Sequence, residues 1–347
     1  MPLHQVIQRV LLIGAHVQSP PPPPPPAPTP PAVLTPLIQA IHADHRLFDR
    51  RALHFGNRYR SGFWTIYLLS AVAVLCAVLP LALGWDSGLH PLHSYAGLWA
   101  IAEVLVISSV AAIYWRGHRG DWQGQWLRAR TTAELAWYLP MLAPLLDWER
   151  ESTEPNWYLR VFNPGSHVRA ADDIGALCLR NESMARGLLA NAWAQPAFIA
   201  GYAGWTMSIL AHQQHYHLCQ ASKQHALMHR VHRINAWLFG LTALGATLHL
   251  VVHTIWLSVI TTFFPALGAS LHGALAQSEA HRLGTTSERL ARELQGAIAG
   301  IQAGLDESRA SGDATSLRKV IENAIALLLE EHQDWNLMVR PHHLPLG

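Results

Sequence analysis

Three long stretches that lack Asp, Glu, Lys and Arg constrain the fold of this chain more than any other sequence feature. Residues Ser61–Trp85 and Ile234–Ser278 contain none of the four, and Ser87–Trp115 contains only Glu103. A helix needs about 20 apolar residues to cross a hydrocarbon core about 30 Å thick. Only 14% of the 347 residues are charged, whereas soluble domains carry about 25%. The sequence therefore predicts a membrane protein and argues against a soluble enzyme, a disordered chain or a basic nucleic-acid-binding protein.

The lengths of these stretches predict an all-α fold with four transmembrane helices. Each of the first two stretches suits one helix, near Phe63–Gly84 and Leu92–Trp115. The third is too long for one crossing, because 45 residues of helix at about 1.5 Å per residue would reach about twice the core thickness. We therefore predict a turn near His253–Ser258, with spans near Asn235–Val252 and Leu257–Gln277 on either side of it. The four spans then form two hairpins.

The basic residues beside the spans predict the orientation of the chain, since Lys and Arg concentrate on the cytoplasmic side of membrane proteins. The short connections within the two hairpins, Trp85–Pro91 and His253–Ser258, contain neither residue. The flanks on the other side contain Arg46, Arg50, Arg51, Arg58, Arg60, Arg116, Arg119, Arg128, Arg130, Lys223, Arg230, Arg233, Arg282, Arg289 and Arg292. We therefore expect a multi-pass protein of the inner (plasma) membrane with both termini and the middle segment in the cytoplasm.

Five segments follow from this arrangement. Residues 1–36 should be disordered, because Ser19–Pro31 is almost entirely proline and proline supplies no amide donor. The others are, in order, a helix entering the first span with the first transmembrane hairpin (37–115), a cytoplasmic helical domain (116–233), the second transmembrane hairpin (234–278) and a cytoplasmic C-terminal helical hairpin (279–347).

Apolar periodicity and helix-breaking residues predict the cytoplasmic elements. We expect a loop over Glu149–Pro164 and an N-cap at Asp313. For Pro196–Leu210 we favour part of a buried helix over a re-entrant segment. The expected helices are Leu34–Arg60, Trp122–Leu139, Ala170–Trp193, Phe198–Arg233, Gln277–Leu305 and Thr315–Trp335. The apolar stripes of the last two suggest packing on the cytoplasmic domain or on another subunit.

The sequence contains none of the common catalytic motifs that we considered. It contains no Gly-rich phosphate loop, no HExxH and no GxSxG motif, and its three cysteines form no CxxC pair. His225, His229 and His232 share a face of a His-rich helix (212–232), but no neighbouring carboxylate or cysteine completes a metal site. We therefore predict no enzyme activity, no catalytic or cofactor-binding residues, no cofactor and no metal ligands, and leave metal binding by the His-rich helix open.

Polar side chains within the predicted spans are candidate functional residues, because each is costly to place in hydrocarbon. Glu103 lies near the middle of the second span, and His249 and His253 lie four residues apart near the outer end of the third. They could line a hydrated path or pair across helices. The alternative is ordinary hydrogen bonding between helices without any conducting role.

Four arginines that follow the second span form another candidate group. They are Arg116, Arg119, Arg128 and Arg130. Clustered basic residues beside a membrane can bind an anionic lipid or a ligand phosphate. The alternative is that these arginines only set the topology.

Six short runs carry a resemblance that covers roughly Leu37–Trp335. They are Asn57-Arg-Tyr-Arg-Ser-Gly-Phe, Trp126-Leu-Arg-Ala-Arg-Thr-Thr-Ala-Glu-Leu, Gln213-Gln-His-Tyr-His, Phe264-Pro-Ala-Leu-Gly-Ala-Ser-Leu, Gln277-Ser-Glu and Leu329-Glu-Glu-His-Gln-Asp-Trp. In their order and their placement relative to the spans, these runs resemble the SLATT family. That family comprises prokaryotic membrane effectors associated with SMODS nucleotidyltransferases and SLOG nucleotide sensors.

The resemblance implies a homo-oligomeric membrane module that perforates the bilayer in bacterial conflict systems. A separate nucleotide-sensing or nucleotide-synthesising protein would supply the signal, since residues 1–36 are too few for a fused sensor. We therefore expect a pore-forming or channel-like effector that is embedded in the lipid bilayer, is gated through its cytoplasmic helices and binds no nucleic acid. The alternative is a membrane-anchored scaffold that binds a cytoplasmic partner and conducts nothing.

Overall fold

The computed structural model describes residues 1–12, 26, 29–85, 95–148, 154, 157–162 and 168–338, and every regular element in them is a helix. Single 3-10 turns at Ala32–Leu34, Ala143–Leu145 and Ala192–Ala194 accompany the α-helices. The α-helices are α1 (Leu3–Leu12), α2 (Thr35–Ala82), α3 (Ala96–Arg119), α4 (Trp122–Leu142), α5 (Trp157–Phe162), α6 (Val168–Leu189), α7 (Pro196–His249), α8 (Ile255–Gln277), α9 (Ala280–Ser311) and α10 (Thr315–Met338).

Three helical stretches are long and apolar enough to cross a membrane. They are Ala32–Ala82, Gly97–Arg119 and Ile255–Ser311. The first two overlap the first and second predicted spans, and the third includes the fourth. In the most apolar part of each stretch, no more than 28% of the residues are buried. Such extended apolar surfaces are rare on soluble monomers. The prediction of an all-helical chain is therefore confirmed for the described residues, and the three stretches suggest a membrane protein.

The predicted third span, Asn235–Val252, is not among these three stretches. Its residues up to His249 form the last part of α7, and Leu250–Thr254 connects α7 to α8. Because the helix ends at His249, the apolar residues Val251 and Val252 lie outside it. The arrangement of four spans in two hairpins is consequently not confirmed by helix length and hydropathy.

Two helices are far longer than a membrane crossing requires. Helix α2 has 48 residues and continues from the predicted cytoplasmic helix into the first apolar stretch without a break. Helix α7 has 54 residues and continues through Arg233 into the predicted third span. Its first part, Pro196–Leu210, has buried residues that include Phe198 and Tyr202. This burial agrees with the prediction that the segment is part of a buried helix.

The larger hydrophobic cluster combines segments from most of the chain. Helix α9 packs along α7, and α10 packs against α9 and α4. The non-membrane parts of segments 37–115, 116–233 and 279–347 therefore share one core. Its buried members include Leu34, Leu37, Ile41, Leu135, Leu139, Trp157, Phe162, Ile174, Leu177, Phe198, Tyr202, Leu290, Leu294, Ile301, Leu317, Ile321 and Leu328.

A second hydrophobic cluster lies where the long helices meet the apolar stretches. Helix α8 packs between α2 and α7, and α3 packs on α2. The close approach of α8 to α2 depends on Gly273, because a Cβ atom there would overlap the Tyr67 ring. The buried members of this cluster are Ala52, Tyr59, Phe63, Trp64, Ile66, Trp126, Ala129, Leu227, Val231, Leu271, Ala274, Leu275 and Ala280.

The predicted disorder of residues 1–36 is wrong for Leu3–Leu12, which forms α1, and for Ala32–Leu34, which forms a 3-10 turn with Leu34 buried. This helix packs on α7 and α2, with Ile7 and Leu11 against the second cluster. An isolated helix of this length is marginal in water, so composition alone does not predict it and docking must stabilise it. Most of the proline-rich stretch Ser19–Pro31 lies outside the described residues.

Local boundaries also differ from the predictions. Helix α5 lies within the predicted loop Glu149–Pro164, where burial of its aromatic ends in the larger cluster stabilises it. The predicted helix Gln277–Leu305 is interrupted, because Glu279 has a φ of 52° and α9 begins at Ala280. Asp313 does cap the start of α10, since its carboxylate accepts hydrogen bonds from the Thr315 amide (2.9 Å) and hydroxyl (2.7 Å).

Candidate functional site

The polar residues predicted to lie in the spans do not converge. Glu103 is half-buried on α3 and makes no hydrogen bond or ion pair within the described part of the chain. His249 and His253 are at the end of α7 and just beyond it, with ring centroids 5.9 Å apart. The Nδ1 atom of His249 is buried without a hydrogen-bond partner in the residues that the structure describes. The structure thus brings the two histidines together and places Glu103 on another helix.

The four candidate arginines have three different environments. Arg116 and Arg119 end α3 and line an open groove of about 610 Å³ with Trp115 and Trp122. The Arg119 guanidinium lies over the Trp115 ring, 3.7 Å from its centroid. The groove also includes Arg58. A basic, Trp-lined groove at the end of an apolar helix suits the headgroup region of a bilayer.

The other two arginines are already paired. Arg128 donates to Asp173 at 2.8 Å from its Nε atom. Arg130 forms an ion pair with Glu134 on its own helix and lies 3.8 Å from Asp49 of α2. These pairs join α4 to α6 and to α2. Of the four arginines predicted as candidates for binding an anionic lipid or a ligand phosphate, Arg128 and Arg130 thus form ion pairs within the chain.

The predicted face of His225, His229 and His232 does not form a metal site. His225 Nε2 lies 2.9 Å from Glu288 Oε1 on α9, and the His232 ring lies 6.2 Å from the His272 ring. In the described ranges, no group of three or more His, Cys, Asp or Glu side chains is arranged to hold a metal ion.

A polar cavity of about 460 Å³ lies beside Phe63 and Gln277, where the first predicted span begins and the fourth ends. No sequence pattern predicts it. We call it the junction cavity, because α1, α2, α4, α7, α9 and the turn at Ser278–Glu279 all contribute to its wall. Its ionisable and amide side chains include His4, Arg60, Arg130, Glu134, Gln213, His217, Gln220, Lys223, Gln224 and Gln277.

A glycine and an aromatic ring build one wall of the junction cavity. A Cβ atom at Gly56 would lie 2.7 Å from Trp126 Nε1, so only glycine lets the indole lie directly against α2. The Tyr59 ring stacks on Trp126 at a centroid distance of 5.8 Å, and Gln277 Nε2 donates to the Tyr59 hydroxyl at 2.9 Å. Helices α2, α4 and α8 are therefore fixed at one point beside the cavity.

Two cations of the junction cavity have no carboxylate partner among the described residues. The Arg60 guanidinium lies 5.0 Å from the centroid of the Trp126 ring, and its Nε donates to the Gly56 carbonyl at 3.3 Å. Lys223 lies at the exposed rim, and partial desolvation followed by the charges of Arg60 and Arg9 lowers its pKa. Arg130, by contrast, forms an ion pair with Glu134 and lies 3.8 Å from Asp49.

Two histidines that line the junction cavity, His4 and His217, have lowered pKa values. Burial, followed by the charges of Arg60 and Lys223, lowers the pKa of His4 to about 4. Burial lowers the pKa of His217 to about 4 as well. Both rings are therefore neutral near pH 7, and the cations make the electrostatic potential around His4 positive.

Four of the six short sequence runs described above contribute residues to the lining of this cavity, among them Arg60, Arg130, Gln213 and Gln277. From the sequence, Arg60 and Lys223 are expected only to set the topology, and His4 lies in a segment that is predicted to be disordered. Their convergence depends on the tertiary fold.

Comparison of the chain with protein-family models, with curated proteins and with solved structures finds no match.

Proposed function

We propose that this chain is the subunit of an oligomeric, pore-forming or channel-like membrane effector that is gated through its cytoplasmic helices. The observation that carries the proposal is the continuity of α2 and α7, each of which runs from the larger core into an apolar stretch. A helix without a break transmits tilt or rotation along its length. Rearrangement of the cytoplasmic core would therefore reorient the spans.

The proposal includes a fourth crossing at Asn235–Val252. Trp237, Phe239 and Val251 are 70%, 76% and 80% exposed, respectively. Exposed apolar side chains at this density are unfavourable in water and favourable in a bilayer. Four crossings also keep both termini on the cytoplasmic side of the inner membrane, in agreement with the arginine distribution.

A pore requires several copies of the chain, because four helices provide too little wall for an aqueous path. The α3 surface is available for contacts between subunits, since Val104, Leu105 and Ile107 are exposed there. Glu103 lies on the same helix. In a ring of subunits, its carboxylates would form an acidic ring of the kind that selects cations.

The resemblance to the SLATT family supports this function and implies a trigger from a nucleotide-sensing or nucleotide-synthesising partner. The competing function is a membrane-anchored scaffold without conduction. Exposed apolar side chains on the cytoplasmic helices, such as Leu179 and Met184 on α6, favour that alternative because they offer a surface for a partner protein.

Planar bilayer recordings of the purified oligomer test the proposal. We expect unitary conductance from the wild type and a lower ratio of cation to anion permeability in Glu103→Gln, because the substitution removes the acidic ring. Glu322→Gln, which alters an exposed carboxylate on α10, is the matched control and should behave like the wild type. Depolarisation of cells that overproduce each variant provides a second readout for a pore that closes on purification. An oligomer that neither conducts nor depolarises cells would leave only the scaffold.

A further inference from the structure

We infer that the junction cavity is a binding site for a small phosphate-bearing anion. The inference deepens the proposed function, because a ligand there would contact helices that belong to both apolar hairpins and to the cytoplasmic core. Binding itself requires no conduction, so the two proposals can be tested separately.

The charge balance of the cavity is the first argument. Arg60 and Lys223 both line it without a carboxylate partner in the described chain. The lining contains three cations (Arg60, Arg130 and Lys223) and three carboxylates (Asp49, Glu134 and Glu279). The carboxylates pair elsewhere, because Glu134 and Asp49 lie beside Arg130 and Glu279 lies 3.9 Å from Arg282, so none of them forms an ion pair with Arg60 or Lys223. Arg60 is half-buried whereas Lys223 is exposed, so it is the Arg60 charge that is partly removed from water without an anionic partner, which is unfavourable. A bound anion would relieve that cost.

The geometry of the two cations favours phosphate over a simple carboxylate. The Nε atom of Arg60 is engaged with the Gly56 carbonyl, which leaves the two Nη groups for a ligand. Lys223 lies on a different helix, α7, and acts as a separate point charge. Donors that approach from two directions suit the tetrahedral oxygens of a phosphate dianion better than the single plane of a carboxylate.

The volume and the remaining lining suit a ligand larger than the bare ion. About 460 Å³ falls within the range of small-molecule sites. Side-chain amides of Gln213, Gln220 and Gln224 add neutral donors and acceptors, and the exposed Leu53 side chain adds an apolar part of the lining. Such a mixture recognises a polar organic group attached to the phosphate.

Two sources could supply this chemistry. One is a soluble phosphate ester that enters from the cytoplasm at the rim near Lys223. The other is the headgroup of an anionic phospholipid, because Arg60 lies only three residues before Phe63, where the first predicted span begins. Both sources place a phosphate beside the same two cations, and experiment can distinguish them.

Isothermal titration of the full-length protein in an uncharged detergent tests the soluble source, with inorganic phosphate and pyrophosphate as probes. We expect saturable binding by the wild type. In Lys223→Gln and in Arg60→Gln the affinity should fall about tenfold or more, because each substitution removes a charge-assisted hydrogen bond. Arg292→Gln, at an exposed position of α9, is the matched control and should bind like the wild type. Lys223→Gln, at the rim, keeps the test decisive if Arg60→Gln does not fold.

The lipid source is tested with the same variants in nanodiscs of phosphatidylcholine with or without phosphatidylglycerol. Phosphatidylglycerol should then raise the midpoint of thermal unfolding of the wild type and of Arg292→Gln, but not that of Lys223→Gln. This result would assign the phosphate to lipid. The inference would be overturned if neither soluble phosphate nor phosphatidylglycerol bound the folded wild type, or if Lys223→Gln and Arg60→Gln bound as well as the wild type. Binding without conductance would contradict only the pore, and conductance without binding would contradict only this site.

Discussion

His4 illustrates how a single side chain can make the docking of an element depend on pH. Only 2% of its surface is exposed, and its Nδ1 atom lies 3.1 Å from the Ser61 hydroxyl. Burial and two nearby cations lower its pKa to about 4, whereas a free imidazole has a pKa of about 6.5. The His4 ring is therefore neutral when α1 is docked near pH 7, and it takes up a proton more readily when α1 is undocked.

Acidification should consequently release α1. Docking is fully favourable above about pH 6.5 and weakens as the pH falls towards 4, because protonation then favours the undocked state. Hydrogen–deuterium exchange of the Leu3–Leu12 amides, corrected for intrinsic rates, should show lower protection at pH 5 than at pH 7. His4→Gln should remove most of this difference, and His281→Gln, at an exposed position, should retain it. Equal protection at both pH values in the wild type would contradict the prediction.

At the scale of elements, the crossing of α2 and α4 depends on the missing side chain at Gly56. The Trp126 indole occupies the space that a side chain would need, and it in turn contacts Tyr59 and Arg60. Gly204 provides a contrast on α7, because no atom lies within 4 Å of a Cβ atom built there. The two glycines are both helical and differ in what surrounds them.

Gly56→Ala should therefore destabilise the protein by about 1–3 kcal/mol, the usual cost of overpacking. Gly204→Ala should be neutral or stabilising by up to about 1 kcal/mol, because alanine restricts the unfolded chain and favours helix. Thermal or denaturant unfolding in a fixed detergent measures both. The steric argument fails if Gly56→Ala is as stable as Gly204→Ala.

Elements whose evidence is local could be predicted from the sequence. The absence of charges and the apolar periodicity predict helices α2, α3 and α8. The position of Asp313 before an apolar helical stripe predicts that it is an N-cap. The break at Glu279 could not be predicted, because Gln277-Ser-Glu contains neither glycine nor proline. Helix α1 and the junction cavity depend on tertiary contacts, such as the one between Tyr59 and Gln277, 218 positions apart. Neither propensity nor spacing encodes such a contact.

At the scale of the whole molecule, the number of crossings decides on which side the C-terminal helices lie. If the N-terminal helices are cytoplasmic, as the arginine distribution predicts, three crossings at α2, α3 and α8 would place α9 and α10 outside the cell. A fourth crossing at Asn235–Val252 returns them to the cytoplasm. The second arrangement is compatible with the packing of α9 on α7 and of α10 on α4, because the helices of one core must share a compartment.

Labelling of single cysteines in intact cells with a membrane-impermeant maleimide can distinguish these arrangements. In a background in which Cys76, Cys178 and Cys219 are replaced by alanine, we expect labelling of Val251→Cys and none of Ser316→Cys until the cells are permeabilised. Both positions are exposed on the protein surface, so a difference between them reports the compartment. Three crossings would give the reverse pattern.

The larger core also determines the order of events during synthesis. It joins Leu34 and Leu37, close to the N-terminus, with Leu317 and Leu328 of α10. The ribosome releases every apolar stretch between Ser61 and Ser278 before it completes α9 and α10, and domains generally form as units when their sequence is available. In the topology that we propose, membrane insertion would thus precede closure of the larger core. The two hairpins would enter the bilayer one after the other, and the last two helices would then fix them in their final arrangement.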